Sequence, residues 1–134
     1  MGRYATLAAG ADWLGKWTTF NAAETSAAVA AEEEADAKVD ELLLGFDKTA
    51  WPLATPPAVA IAAKKYATAR FLRRDFARAD TAASPDSKSL PVALETEAME
   101  ALQQLAQQGF VVLPDGTRQD DQDGVGSMFA EIRR

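Results

Sequence analysis

The sequence predicts an all-α fold: a four-helix subunit with a short β-strand and turn after the last helix and an extended C-terminal tail. Three observations carry that expectation. Apolar residues recur three and four positions apart along four stretches, the spacing that places them on one side of a helix. Gly15, Gly45, Gly109 and the prolines Pro52, Pro56, Pro57 and Pro91 fall at the edges of those stretches, where helices stop and start. Only beyond Gly109 does the period change, in "FVVLPDGT". The 134 residues leave room for one domain and one core. Alanine supplies much of the apolar content, which favours helix and close helix approach but gives each helix little core volume of its own.

The elements follow in order. Thr6 is placed to cap a short helix through about residue 14, with Leu7, Ala11 and Leu14 on one side and Gly15 as its stop. Trp13 and Trp17 then sit near a bend as hydrophobic anchors. Asn21 or Thr25 can cap a second helix running to about residue 44. Val29, Ala35, Val39, Leu42 and Leu43 supply its apolar side, its acidic block lies along the exposed side, and Gly45 stops it. In the connection "FDKTAWPLATPP" three prolines forbid helix continuation and make a rigid elbow. Thr55 followed by Pro56 and Pro57 then signals a helix start, because proline at the first helical position loses no hydrogen bond.

The third helix is expected over residues 57 to 79. At roughly 100° per residue, Val59 and Tyr66 share one side, Ile61, Leu72 and Phe76 another, and Phe71 projects away from both. A helix apolar on several sides is buried on several sides, and a chain this small is not expected to surround it unaided. Neighbouring subunits are the expected cover, which places Ile61, Tyr66, Arg70, Phe71, Arg73, Arg74 and Phe76 at a subunit interface.

The stretch "ADTAASPDSKSLP" has no period and reads as an exposed loop. Ser89 or Leu90 with Pro91 starts the fourth helix, in which Leu94, Ala98, Ala101, Leu102 and Leu105 form one stripe. Glu95, Glu97 and Glu100 suit its N-terminal half through the helix dipole, and Gly109 closes it. The β-prone run beyond, ended by Pro114, Asp115 and Gly116, predicts a strand and a turn. The chain divides into a helical domain over residues 1–116 and an extended tail over 117–134. The tail begins with too few apolar residues to fold by itself and ends on Met128, Phe129 and Ile132, anchors for a partner, with Arg133 and Arg134 at their rim. Its "DDQDG" is not a calcium loop: with Gly124 at the sixth position, Gln119 and Ala130 occupy the first and twelfth, where acidic ligands are needed.

Composition narrows the function classes. The chain has no cysteine, hence no disulfide, thiolate nucleophile or thiolate metal site. It also has no histidine, the side chain most used as a general base near neutral pH and the commonest metal ligand. With no phosphate loop, metal-spaced cluster or catalytic constellation in view, the expectation is a protein that is not an enzyme and needs no cofactor or metal. The start "MGRYATLAAGADWLG" does not read as a secretory signal, and no run approaches the roughly 18 apolar residues of a membrane span. Synthesis in the cytosol, with no membrane partner, is expected. The net charge of −6 is uneven. Glu32, Glu33, Glu34, Asp36, Asp40 and Glu41 face only Lys38, whereas Lys64, Lys65, Arg70, Arg73, Arg74 and Arg78 face only Asp75. Each cluster is either a solvated helix face or one half of a pairing, within the fold or between subunits. Asp36 and Asp40, one helical turn apart, read as surface charges.

The ordered stretches "RYATLAAGADWL", "AAEEEADAKVDELLLGF", "WPLATPPAVAIAAKKYATARFLRRDF" and "ALETEAMEALQQLAQQGFVVL" together resemble the head-tail adaptor (connector, head-completion) proteins of tailed bacteriophages, in particular the Mu-like branch. That branch similarly has a tyrosine-alanine-threonine start, an acidic helix, a proline elbow into an alanine-bearing helix, and a last helix followed by Gly and an apolar run. The likeness covers residues 3 to 113. It implies a structural virion protein of the head-tail neck, made in the bacterial host cytoplasm and assembled as a homo-oligomeric ring, typically of twelve copies, beneath the portal. Its partners would be its own copies, the portal protein and a downstream neck or tail protein, with DNA only passing through the channel. In that setting Met128, Phe129, Ile132, Arg133 and Arg134 would dock on the portal or a neighbouring ring. The reading from a different class is a small helical nucleic-acid-binding regulator that sets Lys64, Lys65, Arg70, Arg73 and Arg74 on phosphates. The acidic total charge and the missing helix-turn-helix spacing count against it.

Overall fold

A computed structural model of the chain describes residues 2–14, 17–73 and 85–120. Helix predominates, and the fold is all-α. Helix α1 spans Ala22–Leu42, α2 is the single turn Trp51–Ala54, α3 spans Pro57–Leu72 and α4 spans Pro85–Gln108. Strands β1 (Phe110–Val112) and β2 (Arg118–Asp120) pair antiparallel, with Val111 opposite Gln119. Helix α3 is the centre of the molecule, packed against α1 on one side and α4 on the other, while β1 rests on both α3 and α4.

The start of α1 is fixed by Asn21 rather than Thr25. The Asn21 side chain accepts the Glu24 N–H at 2.8 Å and the Glu24 carboxylate accepts the Asn21 N–H at 2.9 Å, a reciprocal capping box. The helix ends without its glycine. Leu43 is the cap residue, and the Lys48 ammonium donates to the carbonyls of Leu43 and Phe46, satisfying acceptors a helix end leaves open. Among the described residues the positive-φ glycines are Gly10, Gly109 and Gly116, so Gly45 is not the left-handed stop its position predicts.

The expected first helix is absent. Residues 2–11 run as an irregular arm, followed by one 3₁₀ turn, Asp12–Leu14. The backbone bonds of the stretch are those of turns, Ala11 N–H to the Ala8 carbonyl and Leu14 N–H to the Ala11 carbonyl, while the N–H groups of Gly2, Arg3, Tyr4 and Leu7 tie the arm to carboxylates of α1. The loop expected over 79–91 is also corrected, since α4 begins at Pro85 and carries Pro91 inside it. Proline is well suited to a first helical turn, and the polar "SPDSK" conceals a start that hydrophobic periodicity cannot register. At the far end Gly109 (φ 80°) closes α4 as predicted, and Leu94, Ala98, Leu102 and Leu105 are buried along one stripe.

The hairpin carries the folded body beyond the boundary drawn at residue 116. Strand β2, polar and without alternation, pairs with β1 across a turn in which Asp115 accepts the Thr117 N–H and hydroxyl and Gly116 takes φ 90°. Gln119 ties this strand to the elbow: its carbonyl accepts the Trp51 indole N–H at 2.8 Å, and its amide donates to the Asp47 carbonyl at 2.6 Å. Because Trp51 is almost fully buried, Gln119→Ala leaves its indole donor without a partner, and a loss of about 1–2 kcal/mol in urea unfolding is expected.

The core also corrects the expectation that α3 needs a neighbour's cover. Val59, Ala62, Ala63, Tyr66, Ala67, Thr68, Ala69, Phe71 and Leu72 are all buried within this one chain. The cover comes from the segment read as a bend: the Trp17 ring stands edge-on to Phe71 at 5.4 Å between centroids, and Phe20 lies tilted at 5.3 Å. Of the aromatic and aliphatic residues expected at an interface, only Ile61 is exposed among those described. Arg74, Phe76, Arg78, Met128, Phe129, Ile132, Arg133 and Arg134 lie outside the described residues.

Candidate interaction site

Three carboxylates four residues apart on α1, Glu32, Asp36 and Asp40, form one stripe that grips the amino-terminal arm. Glu32, 2% exposed, accepts the Gly2 N–H at 2.9 Å and the Leu7 N–H at 2.6 Å. Asp36, 5% exposed, accepts the Arg3 N–H at 2.9 Å and the Tyr4 N–H at 3.3 Å. Asp40 accepts the Tyr4 hydroxyl at 2.7 Å and pairs with the Arg3 guanidinium, which also stands 3.7 Å from Asp36. Gly2 is a necessity of this approach, because a Cβ there would collide with the Ala5 carbonyl and come within 3.0 Å of the Glu32 Cβ. The expectation of a solvated acidic face is therefore wrong along this stripe. Glu32 and Asp36 are buried, and Asp40 half-buried, because the arm supplies the hydrogen bonds that a charge removed from water requires.

Burial raises the pKa of the Tyr4 hydroxyl, and its hydrogen bond to Asp40 raises it further. For Asp40 burial acts upward, but the hydrogen bonds from Tyr4 and Arg3 outweigh it and hold the carboxyl below its ordinary 3.8. A depressed folded value stabilises the fold above the ordinary carboxylate range, and that contribution is lost as pH falls through the folded value. Thermal melts taken from neutral pH down through this range are expected to show a shallower acid decline in Asp40→Asn than in the unaltered chain.

Among the described residues of the basic cluster, Lys65, Arg70 and Arg73 are engaged by the fold's own carboxylates. Arg70 reaches Glu34 of α1 at 3.2 Å and Glu95 of α4 at 3.5 Å, so one guanidinium joins three helices. Arg73 pairs with Glu95 at 3.1 Å and Lys65 with Glu97 at 2.9 Å. Pairing with the acidic helix is thus found at Arg70, while Glu95 and Glu97, read from the sequence as dipole partners, serve the other two cations. These groups are partly exposed, and each pair contributes only about 0–1 kcal/mol.

Between the arm and the N-terminal half of α3 lies a groove of about 420 Å³, lined by Tyr4, Thr6, Trp13, Ala60, Ile61 and Lys64. Ile61 is 55% exposed there. Other large apolar side chains stand on the surface at Leu44, Leu53, Val92 and Val112, with Leu53 99% exposed on α2. Helical periodicity could not single out Leu44, which sits in a turn, or Leu53 on the single turn α2, whereas Ile61 is one of the expected interface residues, placed by its angular position on α3 away from Val59 and Tyr66. Among the described residues no group of three or more acids could hold a metal ion, and no helix is long and apolar enough to cross a membrane. Comparison with models of known protein families, with curated proteins and with solved structures finds no match to this chain.

Proposed function

We propose that the chain is a structural assembly subunit, a head-tail adaptor of a tailed bacteriophage that forms a ring under the portal and continues the DNA channel toward the tail. The observation that carries this reading is that the four stretches resembling the adaptor family pack together as one unit. Tyr4 of the first is bonded to Asp40 of the second. Trp51 of the third stands 6.0 Å from Tyr4, and α3 packs along the fourth. The exposed Ile61, Leu53 and Leu44 supply apolar surface for contacts between copies. The end of the chain, with Met128, Phe129, Ile132, Arg133 and Arg134, serves the portal or a neighbouring ring, and the virion neck is the place of action.

The first check is the gene neighbourhood, where portal, major capsid and tail genes are expected beside this one. The decisive experiment is to purify the chain with the portal protein encoded there and image the complex. A closed ring, typically of twelve copies, seated on the portal supports the reading. A chain that stays monomeric and does not bind that portal overturns it.

The nucleic-acid-binding regulator makes a different demand. Its affinity for DNA would fall steeply with salt, by about 0.9 log units per log unit of salt for each phosphate contacted. With Lys65, Arg70 and Arg73 already paired to Glu97, Glu34 and Glu95, no measurable binding at physiological salt is expected.

A further inference from the structure

We propose that the apolar end of the chain's own C-terminal segment, Met128, Phe129 and Ile132, seats in the groove between the amino-terminal arm and α3. An unassembled subunit thereby keeps its anchor to itself. Groove and reach are sufficient for this, whatever assembly the subunit joins.

The groove has the volume of a site for two or three side chains and walls suited to them. Tyr4 and Trp13 offer aromatic surface, and Ile61 is the one large aliphatic residue of α3 left more than half exposed. The place where the chain leaves the described fold decides the occupant. The pairs of Lys65 with Glu97 and of Arg70 with Glu95 show α3 and α4 running antiparallel. The end of α4 therefore returns to the N-terminal end of α3, which is the groove's floor. The hairpin sits at that same end, with Asp120 opposite Phe110. Beside Asp120, Gln119 is bonded to Trp51, and the Trp51 ring is 6.0 Å from Tyr4, a groove wall. One aromatic layer thus separates the exit of the chain from the groove. The seven residues from 121 to 127 extend to at most about 25 Å, enough to pass that layer and enter.

A partner that takes residues 128–132 must first withdraw them, which also uncovers Ile61 and Trp13. Release of the anchor and exposure of a contact surface are then one event, so the two states differ both in what they can bind and in what they hide.

The chain has no cysteine, so a single introduced thiol reports on the groove. Ile61→Cys is placed in the full-length chain and in the full-length chain carrying Phe129→Asp and Ile132→Asp, and its rate of modification by a maleimide is measured over a range of protein concentrations. Leu53→Cys, at a side chain 99% exposed, is the reference. The expected result is modification at position 61 about tenfold slower with the native segment than with the aspartates, the ratio for a docked form favoured ten to one. That protection is independent of concentration, and the reference thiol at position 53 reacts equally fast in both chains. A synthetic peptide of residues 121–134 added to the aspartate variant should restore the slow rate. Equal rates at position 61 in the two chains overturn the proposal. Protection that disappears on dilution also overturns it, because the occupant is then a second copy's segment.

Discussion

Phe71→Ala is expected to be the most damaging single truncation in the chain, removing about 3–5 kcal/mol. Phe71 is fully buried in the last turn of α3 and holds two ring contacts at once, with Trp17 at 5.4 Å and Phe20 at 5.3 Å. Its loss removes the transfer energy of a whole ring and leaves a cavity whose lining loses its dispersion partners. The surroundings are poorly equipped to collapse into that space. Fully buried alanines such as Ala63, Ala67 and Ala69 share α3 with it and have no rotamers with which to repack. A domain of this size is stable by only about 5–15 kcal/mol, so the variant sits near the edge of folding. Urea unfolding followed by circular dichroism should show a much lower midpoint with little change in slope. Ile61→Ala, on the exposed side of the same helix, should move the midpoint very little. A loss below about 1 kcal/mol at Phe71 would mean that the core relaxes far more than close packing allows.

What the sequence disclosed and what it concealed divide along one physical line. Elements set by local chemistry were legible: the helix start at Asn21, offered beside Thr25, the Leu94 to Leu105 stripe, the Gly109 stop and the strand after it all depend on neighbours within a few residues. Elements set by distant partners were not. The arm from Gly2 to Leu7 is fixed by side chains that accept from its backbone twenty-five to thirty-three positions away. Strand β2 has no β signature of its own and is defined by β1 and by Trp51. The candidate site is of the second kind: the groove exists because the arm lies over α3, and a predicted helix in place of the arm would not have formed it. The one available trace was the spacing of Glu32, Asp36 and Asp40, which puts three carboxylates on a stripe adjoining the apolar positions Ala28, Ala35 and Val39. A charge run with that spacing and that adjacency faces a partner rather than water.

Glu32→Ala tests that stripe, and a loss of about 2–4 kcal/mol is expected. Glu32 is the most buried charged side chain described, and its two oxygens accept from two backbone donors, Gly2 and Leu7. Bonds from N–H to an ionised acceptor are stronger than neutral ones, and truncation leaves both donors facing apolar atoms with no replacement. Glu32→Gln is the sharper control. It keeps the shape and one acceptor oxygen, but it turns an amide NH₂ toward a backbone N–H, so one of the two donors still loses its partner. Its cost should fall between those of the native chain and the alanine variant. The consequence is local before it is global, because α1 retains its own cap and its contacts with α3. The arm should therefore come free while helicity persists, and Arg3, bonded through its backbone to Asp36, becomes a site for trypsin. Limited proteolysis with mass analysis should show rapid cleavage after Arg3 in Glu32→Ala and slow cleavage in the unaltered chain, with far-ultraviolet circular dichroism nearly the same. An unchanged cleavage rate, or a loss below about 0.5 kcal/mol of the size typical for surface substitutions, would show that apolar anchors such as Tyr4 and Leu7 hold the arm without the carboxylates.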